Sequence, residues 1–286
     1  MIRLVTDTTC GIPLSQLKSK GIEVLPQIIT FEDKSFRDDY EIDTATFLNL
    51  LKNASKLPGT AAPPPALYSP IYKKCIKSDE TILVLTPSSE VSGTFRSATI
   101  AATEFPDADI HIIDTRTVAG GFGTMVLQAQ RLIDEGLSIE EIKSHVLTLM
   151  KRERVFFIVD TLEYLYKGGR IGGASALIGS IFQIKPILTI GNGKVQPFDK
   201  QRTFRQALES IKKRVIDLCN NNPEPLLNIS HCEAESIAIE LAEYFVKELN
   251  LSDVPIYLLP PAIVVHGGPG IIEVCCFEVN LTKTKP

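Results

Sequence analysis

The sequence predicts an α/β protein with two α/β domains and mostly parallel sheets. Three observations carry the prediction. Short apolar runs of strand length alternate with longer stretches of helical periodicity, the pattern of βαβ units. The runs are apolar on both faces, as strands of a parallel sheet covered by helices on both sides are. The chain has 286 residues, 44% hydrophobic and 22% charged, enough for two cores.

In chain order, Ile2 to Thr6, Thr81 to Thr86, Ile110 to Asp114 and Val155 to Val159 are predicted strands. Thr44 to Asn53, Gly93 to Glu104, Phe122 to Glu135 and Ile139 to Lys151 are predicted helices. The pattern then shifts. A short helix, Thr161 to Tyr166, ends at Gly168-Gly169, and Ala174 to Ile184 reads as a helix apolar nearly all round. Strands follow at Ile187 to Ile190, Leu226 to Ser230, Ile256 to Leu259 and Ile272 to Val279, separated by amphipathic helices over Thr203 to Cys219 and Glu233 to Leu249. The shift puts a domain boundary near residue 155, giving domains 1–155 and 156–286. Gly59 to Pro65 reads as a stiff, shaped loop, and Thr282 to Pro286 as a polar tail.

Bulk composition works by exclusion. A net charge of −4 does not suit a nucleic-acid binder, which would show a basic excess or stripe. The one dense basic run, Lys151-Arg152-Glu153-Arg154, is interrupted by an acid and sits at a helix end, where it favours the helix dipole. The six cysteines form no Cys-x-x-Cys pair, and Cys275-Cys276 lies inside an apolar strand, so core thiols are expected. Asp7 cuts short the first apolar run, so no signal peptide is expected. No apolar stretch approaches the ~18 residues of a membrane span. A reducing, cytoplasmic setting follows. No ligand cluster has metal spacing, and no cofactor is expected.

Four segments concentrate Gly, Ser, Thr, Arg or His at strand ends, where α/β sheets bind ligands. In Ser88 to Ala98, Ser92 stands at or near a helix N-cap with Gly93 and Thr94 in the first turn. Free N–H groups and a hydroxyl there make an anion site, or only a cap. Thr60, a lone hydroxyl in the rigid loop after Gly59, can donate to the same anion, or only close an ST-turn. In Lys167-Gly168-Gly169-Arg170-Ile171-Gly172-Gly173, glycines allow close backbone approach, and the Arg170 fork suits a carboxylate or phosphate. The bland alternative is a helix end with a surface arginine. In Val265-His266-Gly267-Gly268-Pro269-Gly270, read as a glycine turn between two late strands, His266 can donate to an anion or shuttle a proton, or stand by. His231 is a weaker candidate; His111 and His145 read as structural or exposed. Asp7-Thr8-Thr9 follows the first strand but lacks the dinucleotide-binding glycines. Gly120-Gly121-Phe122-Gly123 has neither that fingerprint nor a Walker lysine, and reads as letting its helix pack closely.

Asp7-Thr8-Thr9 with Ile12-Pro13, Gly59-Thr60, Ser92-Gly93-Thr94 with Ser97-Ala98, Lys167-Gly168-Gly169-Arg170-Ile171, Ile184-Lys185-Pro186-Ile187, Lys200 with Arg202-Thr203, and His266-Gly267-Gly268-Pro269-Gly270 resemble, in order and spacing, the DegV family of fatty-acid-binding proteins. The resemblance runs from about Ile2 to Val279. It implies two α/β domains with one long-chain fatty acid between them. The carboxylate would meet the hydroxyls of Thr60 and Ser92, with Gly93, Thr94, His266 and Gly267 around the head group. The acyl chain would run into the second domain, along Ala174 to Ile184. Some members present the lipid to a separate ATP-binding subunit of bacterial fatty acid kinase, which phosphorylates the carboxylate. Arg170, Arg202 and Thr203 would then meet that subunit or the head group. Two departures stand out: Ala61 replaces a serine often found in the family loop, and Gly267 stands where threonine often follows the histidine.

A fatty acid is physically reasonable. Burying ~14 methylenes at ~0.8 kcal/mol each yields on the order of 11 kcal/mol gross, reduced by ordering costs. Two enzyme readings compete. A serine hydrolase would use Ser92 and His266, but the sequence has no Gly-x-Ser-x-Gly elbow. A phosphotransferase acting alone would need a nucleotide-phosphate loop, and none is evident. A scaffold with an incidental pocket is the blandest reading.

Overall fold

The computed structural model describes residues 1–180, 184–220, 222 and 225–278. The strands, in chain order, are β1 (Ile2–Asp7), β2 (Glu23–Leu25), β3 (Ile28–Phe31), β4 (Lys34–Arg37), β5 (Gly59–Ala61), β6 (Thr81–Thr86), β7 (Ile110–Asp114), β8 (Glu153–Ile158), β9 (Lys185–Gly191), β10 (Lys194–Gln201), β11 (Leu227–His231), β12 (Ile256–Leu258) and β13 (Ile272–Phe277). Among the described residues they form three sheets, in the orders β2-β1-β6-β7, β10-β9-β8-β13-β11-β12 and β4-β3-β5.

The first sheet is parallel throughout, and period-two alternation explains its doubly apolar strands. Leu4, Leu83 and Leu85 join the core around the helix Ala119–Asp134. Val5, Ile82 and Val84 face the opposite core, with Tyr68 and Tyr72 of the helix Pro65–Lys77 and Ala98 of the helix Thr94–Ala102.

The second sheet is mixed, so the expected parallel pairing does not extend through it. The β9–β10, β8–β9, β8–β13 and β11–β13 pairs are antiparallel, and β11–β12 is parallel. One cause is visible in the chain. Asn192 and Gly193, at φ 51° and 80°, make the two-residue hairpin turn that joins β9 to β10. On one face, Phe156, Ile158, Val274 and Cys276 pack against the helices Phe204–Cys219 and Glu235–Glu248. On the other, Val155, Phe157, Cys275 and Phe277 enter the same core as Leu4, Phe122, Met125 and Val126. The helix Ala119–Asp134 is therefore a layer shared by both sheets, and one core runs between them. Its fully buried Phe122, Met125 and Val126 contribute roughly 1.5–3 kcal/mol each. Residue 155, where the sequence put the boundary, lies inside β8.

Two elements depart from expectation near the cleft. The stretch expected as the helix Ala174 to Ile184 is a 3-10 helix over Gly172–Ser180, and residues 181–183 of it lie outside the described residues. Gly172, Gly173 and Gly179 lower its α-helical propensity. Gly172 also holds φ +51° with its Cα so close to β10 that a Cβ would stand 2.3 Å from the Val195 carbonyl oxygen. The segment following Pro260 is a helix, Pro261–Gly267, closed by Gly268 at φ 76°. Val279 and the tail from Thr282 to Pro286 also lie outside the described residues.

Candidate functional site

A cleft of about 740 Å³, part of it open to solvent, lies between the sheets. Thr60, Ser92, Arg170, His266 and Gly267 all line it. Sequence positions far apart thus converge.

Thr60 is held in β5 opposite Ile29 of β3. His266 sits in the last turn of the helix Pro261–Gly267, not in the open glycine turn the sequence suggested. Thr60 Oγ1 and His266 Nε2 are 2.9 Å apart. His266 Nδ1 is sealed without a partner, above Gly168, where a Cβ would stand only 2.3 Å from it. Burial, and then the nearby Arg170 guanidinium, push the His266 pKa down to about 4, so the ring is neutral near pH 7. A sealed N–H donor is rarer than a sealed acceptor, which assigns the proton to Nε2. His266 then donates to Thr60 Oγ1. The Thr60 hydroxyl proton is left to donate to another acceptor, and the cleft offers the space for one.

Ser92 stands one residue before Gly93, which occupies the cap of the helix Thr94–Ala102. Ser92 Oγ accepts from Thr94 N at 3.3 Å and lies 2.9 Å from Thr94 Oγ1. Thr94 is buried and accepts from Gln27 Nε2 at 3.1 Å. Gln27 Nε2 also donates to Asp7 Oδ2 at 2.9 Å, and Gln27 N donates to Asp38 Oδ1 at 2.8 Å. Thr8 Oγ1 donates to Asp38 at 2.7 Å, and Thr9 N to Asp7 at 2.8 Å. Burial raises Asp7 to about 6 and Asp38 to about 7, against these donors. This chain fixes the Ser92 loop from behind. A Cβ on Gly93 would stand 3.4 Å from Ala62 Cβ, so the two hydroxyl-bearing loops are neighbours.

Arg170 ties the halves of the protein together. Its Nε donates to Val91 O at 3.1 Å and its Nη1 to Gly168 O at 2.8 Å. Arg202 and Thr203 are exposed and do not line the cleft. Thr203 caps the helix Phe204–Cys219 by accepting from Gln206 N at 3.2 Å. The serine-hydrolase arrangement is not formed either: the Ser92 hydroxyl is engaged by Thr94, and His266 by Thr60.

The remaining walls include Phe157, Leu165, Ile190 and Val195. Ile190 and Val195 are a cross-strand pair of the β9–β10 hairpin. The hairpin tip docks on the first sheet's loops: Ser88 Oγ donates to Gly193 O at 2.8 Å and Arg116 Nη2 to Asn192 O at 2.5 Å, while Lys194 pairs with Glu90 at 2.9 Å.

Sequence reasoning missed the acids behind the cleft. Glu273 Oε1 accepts from Gly120 N at 2.9 Å, and Glu153 Oε1 from Thr117 Oγ1 at 2.6 Å. Burial pushes Glu153 up to about 8 and Glu273 to about 7. The close packing expected of Gly120 and Gly121 is against these side chains. A Cβ on Gly120 would stand 2.1 Å from Asn228 Oδ1, and one on Gly121 1.7 Å from Glu153 Oε1. The signal was a glutamate inside the apolar run Ile271 to Phe277.

Two sheets of this order, joined through a shared helix and enclosing a cleft lined by the hydroxyls of Thr60 and Ser92, define the class. The DegV family profile, described as "Uncharacterised protein, DegV family", matches residues 1–279, and the chain belongs to that family. A DegV domain-containing protein of Caldanaerobacter subterraneus subsp. tengcongensis is 32% identical, over 94% of this chain and 95% of that one. Among solved structures, a DegV family protein from Thermus thermophilus described by its fatty acid binding superposes with a TM-score of 0.92 at 29% identity, covering 97% of this chain and 99% of that one. DegV of Bacillus subtilis, described as a fatty acid binding protein, superposes at 0.89 with 30% identity over 97% and 99%. Among the described residues, no helix is long and apolar enough to cross a membrane.

Proposed function

We propose that this protein carries one long-chain fatty acid in the cleft between its sheets, with the carboxylate at Thr60 and Ser92. The observation that carries the reading is the Thr60–His266 pair at 2.9 Å, beside the Ser92 loop and above aliphatic walls. A neutral His266 that donates to Thr60 turns the threonine hydroxyl into a donor for a buried carboxylate, which needs such partners. The free N–H groups of the helix Thr94–Ala102 add a favourable dipole end. The fatty-acid-binding relatives of the same fold support this choice of ligand. Ala61 supplies no hydroxyl, so Thr60, Ser92 and the helix end carry the head group alone. The acyl chain runs along Phe157, Ile190 and Val195 of the second sheet.

The carrier presents its carboxylate to a separate ATP-binding kinase subunit, which forms the acyl phosphate. The exposed Arg202 is available to meet it. Native mass spectrometry of the purified protein, followed by solvent extraction, tests the carrier role: one fatty acid per chain is expected. A chain that purifies empty, and does not shift in melting temperature when palmitic or stearic acid is added, would overturn it. ATP-dependent acyl phosphate, trapped with hydroxylamine only when a kinase subunit is added, tests the second step.

A further inference from the structure

Glu273 is the one acid in an otherwise apolar stretch from Ile271 to Phe277. It is only 4% exposed, yet it lines the cleft. One carboxyl oxygen accepts from Gly120 N at 2.9 Å. The other has no hydrogen-bond partner among the described residues. It is also not closed off, in contrast to Oγ of Ser230, which sits opposite Glu273 in β11 and is sealed and unpartnered. The open space it meets is the cleft. Gln27 repeats the pattern. It is 3% exposed and lines the cleft, and its Nε2 is committed to Asp7 and Thr94. Its Oε1 has no partner among the described residues and is not among the sealed atoms.

A plain hydrocarbon chain lying against these groups would leave the second oxygen of a buried carboxyl unpaired, a poor arrangement where leucine would serve. The ligand's own carboxylate is already provided for at Thr60 and Ser92. A second carboxylate would be repelled by a charged Glu273, which already disfavours charge on the neighbouring Glu153. A hydroxyl fits both states of a carboxyl: it donates to the ionised form and accepts from the neutral one. Burial sets Glu273 near the neutral range, so both states are met.

We propose that Glu273 is a second recognition point of the cleft, selecting a long-chain fatty acid that bears a hydroxyl where its chain passes β13. The inference rests on the fatty-acid reading above and deepens it.

The test is a binding series on the purified, delipidated protein, using stearic acid and stearic acids hydroxylated at successive carbons. One position, or two adjacent ones, should bind about tenfold tighter than stearic acid, the gain from one hydrogen bond to an ionisable group. Glu273→Leu should remove that gain while keeping stearic acid affinity, and Glu273→Gln, which can still bond Gly120 N and a hydroxyl, should retain most of it. Should Glu273→Leu fail to fold, the wild-type series and the glutamine variant still decide. If stearic acid binds as tightly as every hydroxylated acid, the inference is overturned and the carrier reading stands. A gain that is unchanged in Glu273→Leu overturns the role of Glu273. No binding of any acid overturns the carrier reading and the inference with it.

Discussion

Thr60→Val is the sharpest test of the head-group geometry. Valine keeps the branched shape of threonine on β5, so the strand pairing of residue 60 with Ile29 is undisturbed. What disappears is one hydroxyl, which accepts from His266 Nε2 across 2.9 Å and, in the proposed carrier, donates to the ligand. A hydrogen bond to a charged group contributes roughly 1.5–3 kcal/mol, so affinity for a fatty acid should fall by about ten- to a hundredfold. The free protein also suffers, because the His266 Nε2–H is left without its partner at a partly buried site; its melting temperature should drop. To separate the effects, wild type and variant are titrated calorimetrically with a fatty acid and with its methyl ester. The ester carries no charge, so the variant should lose far less with it, and the double difference isolates the coupling between the Thr60 hydroxyl and the carboxylate. An equal loss for acid and ester would mean that Thr60 acts through the fold alone. No loss with either would remove Thr60 from the site.

Three further outcomes are expected. Gly120→Ala gains about 1 kcal/mol of helix propensity, but its Cβ must displace Asn228 Oδ1 from 2.1 Å and disturb the bonds of Asn228 Nδ2 to Gly120 O at 3.1 Å and Thr124 Oγ1 at 2.8 Å; a net loss of roughly 1–3 kcal/mol should appear in thermal melts, and a raised melting temperature would show that Asn228 yields freely. Glu273 and Glu153 keep protons to about 7 and about 8 in the folded chain against 4.5 for the ordinary group. Their stabilisation is therefore complete below pH 4.5 and is lost as pH rises through those values. His266, lowered from 6.5 to about 4, works in the opposite sense, but only between those values, so above about pH 6.5 the slope is set by these two acids together with Asp38, raised from 3.8 to about 7. The melting temperature should fall from there to about pH 8, and a Glu153→Gln/Glu273→Gln double variant should flatten the fall; an unchanged slope would acquit both acids. Finally, Ser88→Ala removes a buried bond of 2.8 Å to Gly193 O, worth about 1 kcal/mol, at the tip of the hairpin that carries Ile190 and Val195 over the cleft. Stopped-flow release of a fluorescent fatty acid should then be about fivefold faster, and an unaltered rate would mean that ligand leaves by another route.

The alternation of strands and helices was legible because burial on two faces leaves an apolar run, as in Thr81–Thr86; the half-buried edge strand Ile110–Asp114 also coincides with expectation. The helix Pro65–Lys77 was hidden by its own prolines. Pro64 and Pro65 stand where a first turn tolerates them, and the periodic Tyr68, Tyr72 and Cys75 behind them are fully buried. The antiparallel second sheet escaped because strand direction is not written in a strand's apolar pattern, although Gly191-Asn192-Gly193 announced one hairpin. The site divided in the same way. Each local signal at Thr60, Ser92, Arg170 and His266 was readable on its own, although each also had a structural use as a cap or turn. Which of them meet was not. Thr60 and His266 are 206 residues apart, and no local rule sets that pairing.

What joins them is the packing of the helix Pro261–Gly267 on β3 and β5, and the layer between the sheets sets the rest of the cleft. The helix Ala119–Asp134 packs on β1 from one side and on β8, β11 and β13 from the other, so its glycines must admit Asn228, Glu153 and Glu273 at distances that no side chain would permit. The same contacts hold the second sheet at the depth where Ile190, Val195 and Glu273 wall the cleft. Bulk at Gly120 would therefore push the sheet and its acid away from the first domain's hydroxyls, widening the cleft. Stability and the width of the cleft share these atoms, and Gly120→Ala should change both together, whereas Thr60→Val should move chiefly the proposed recognition of the carboxylate.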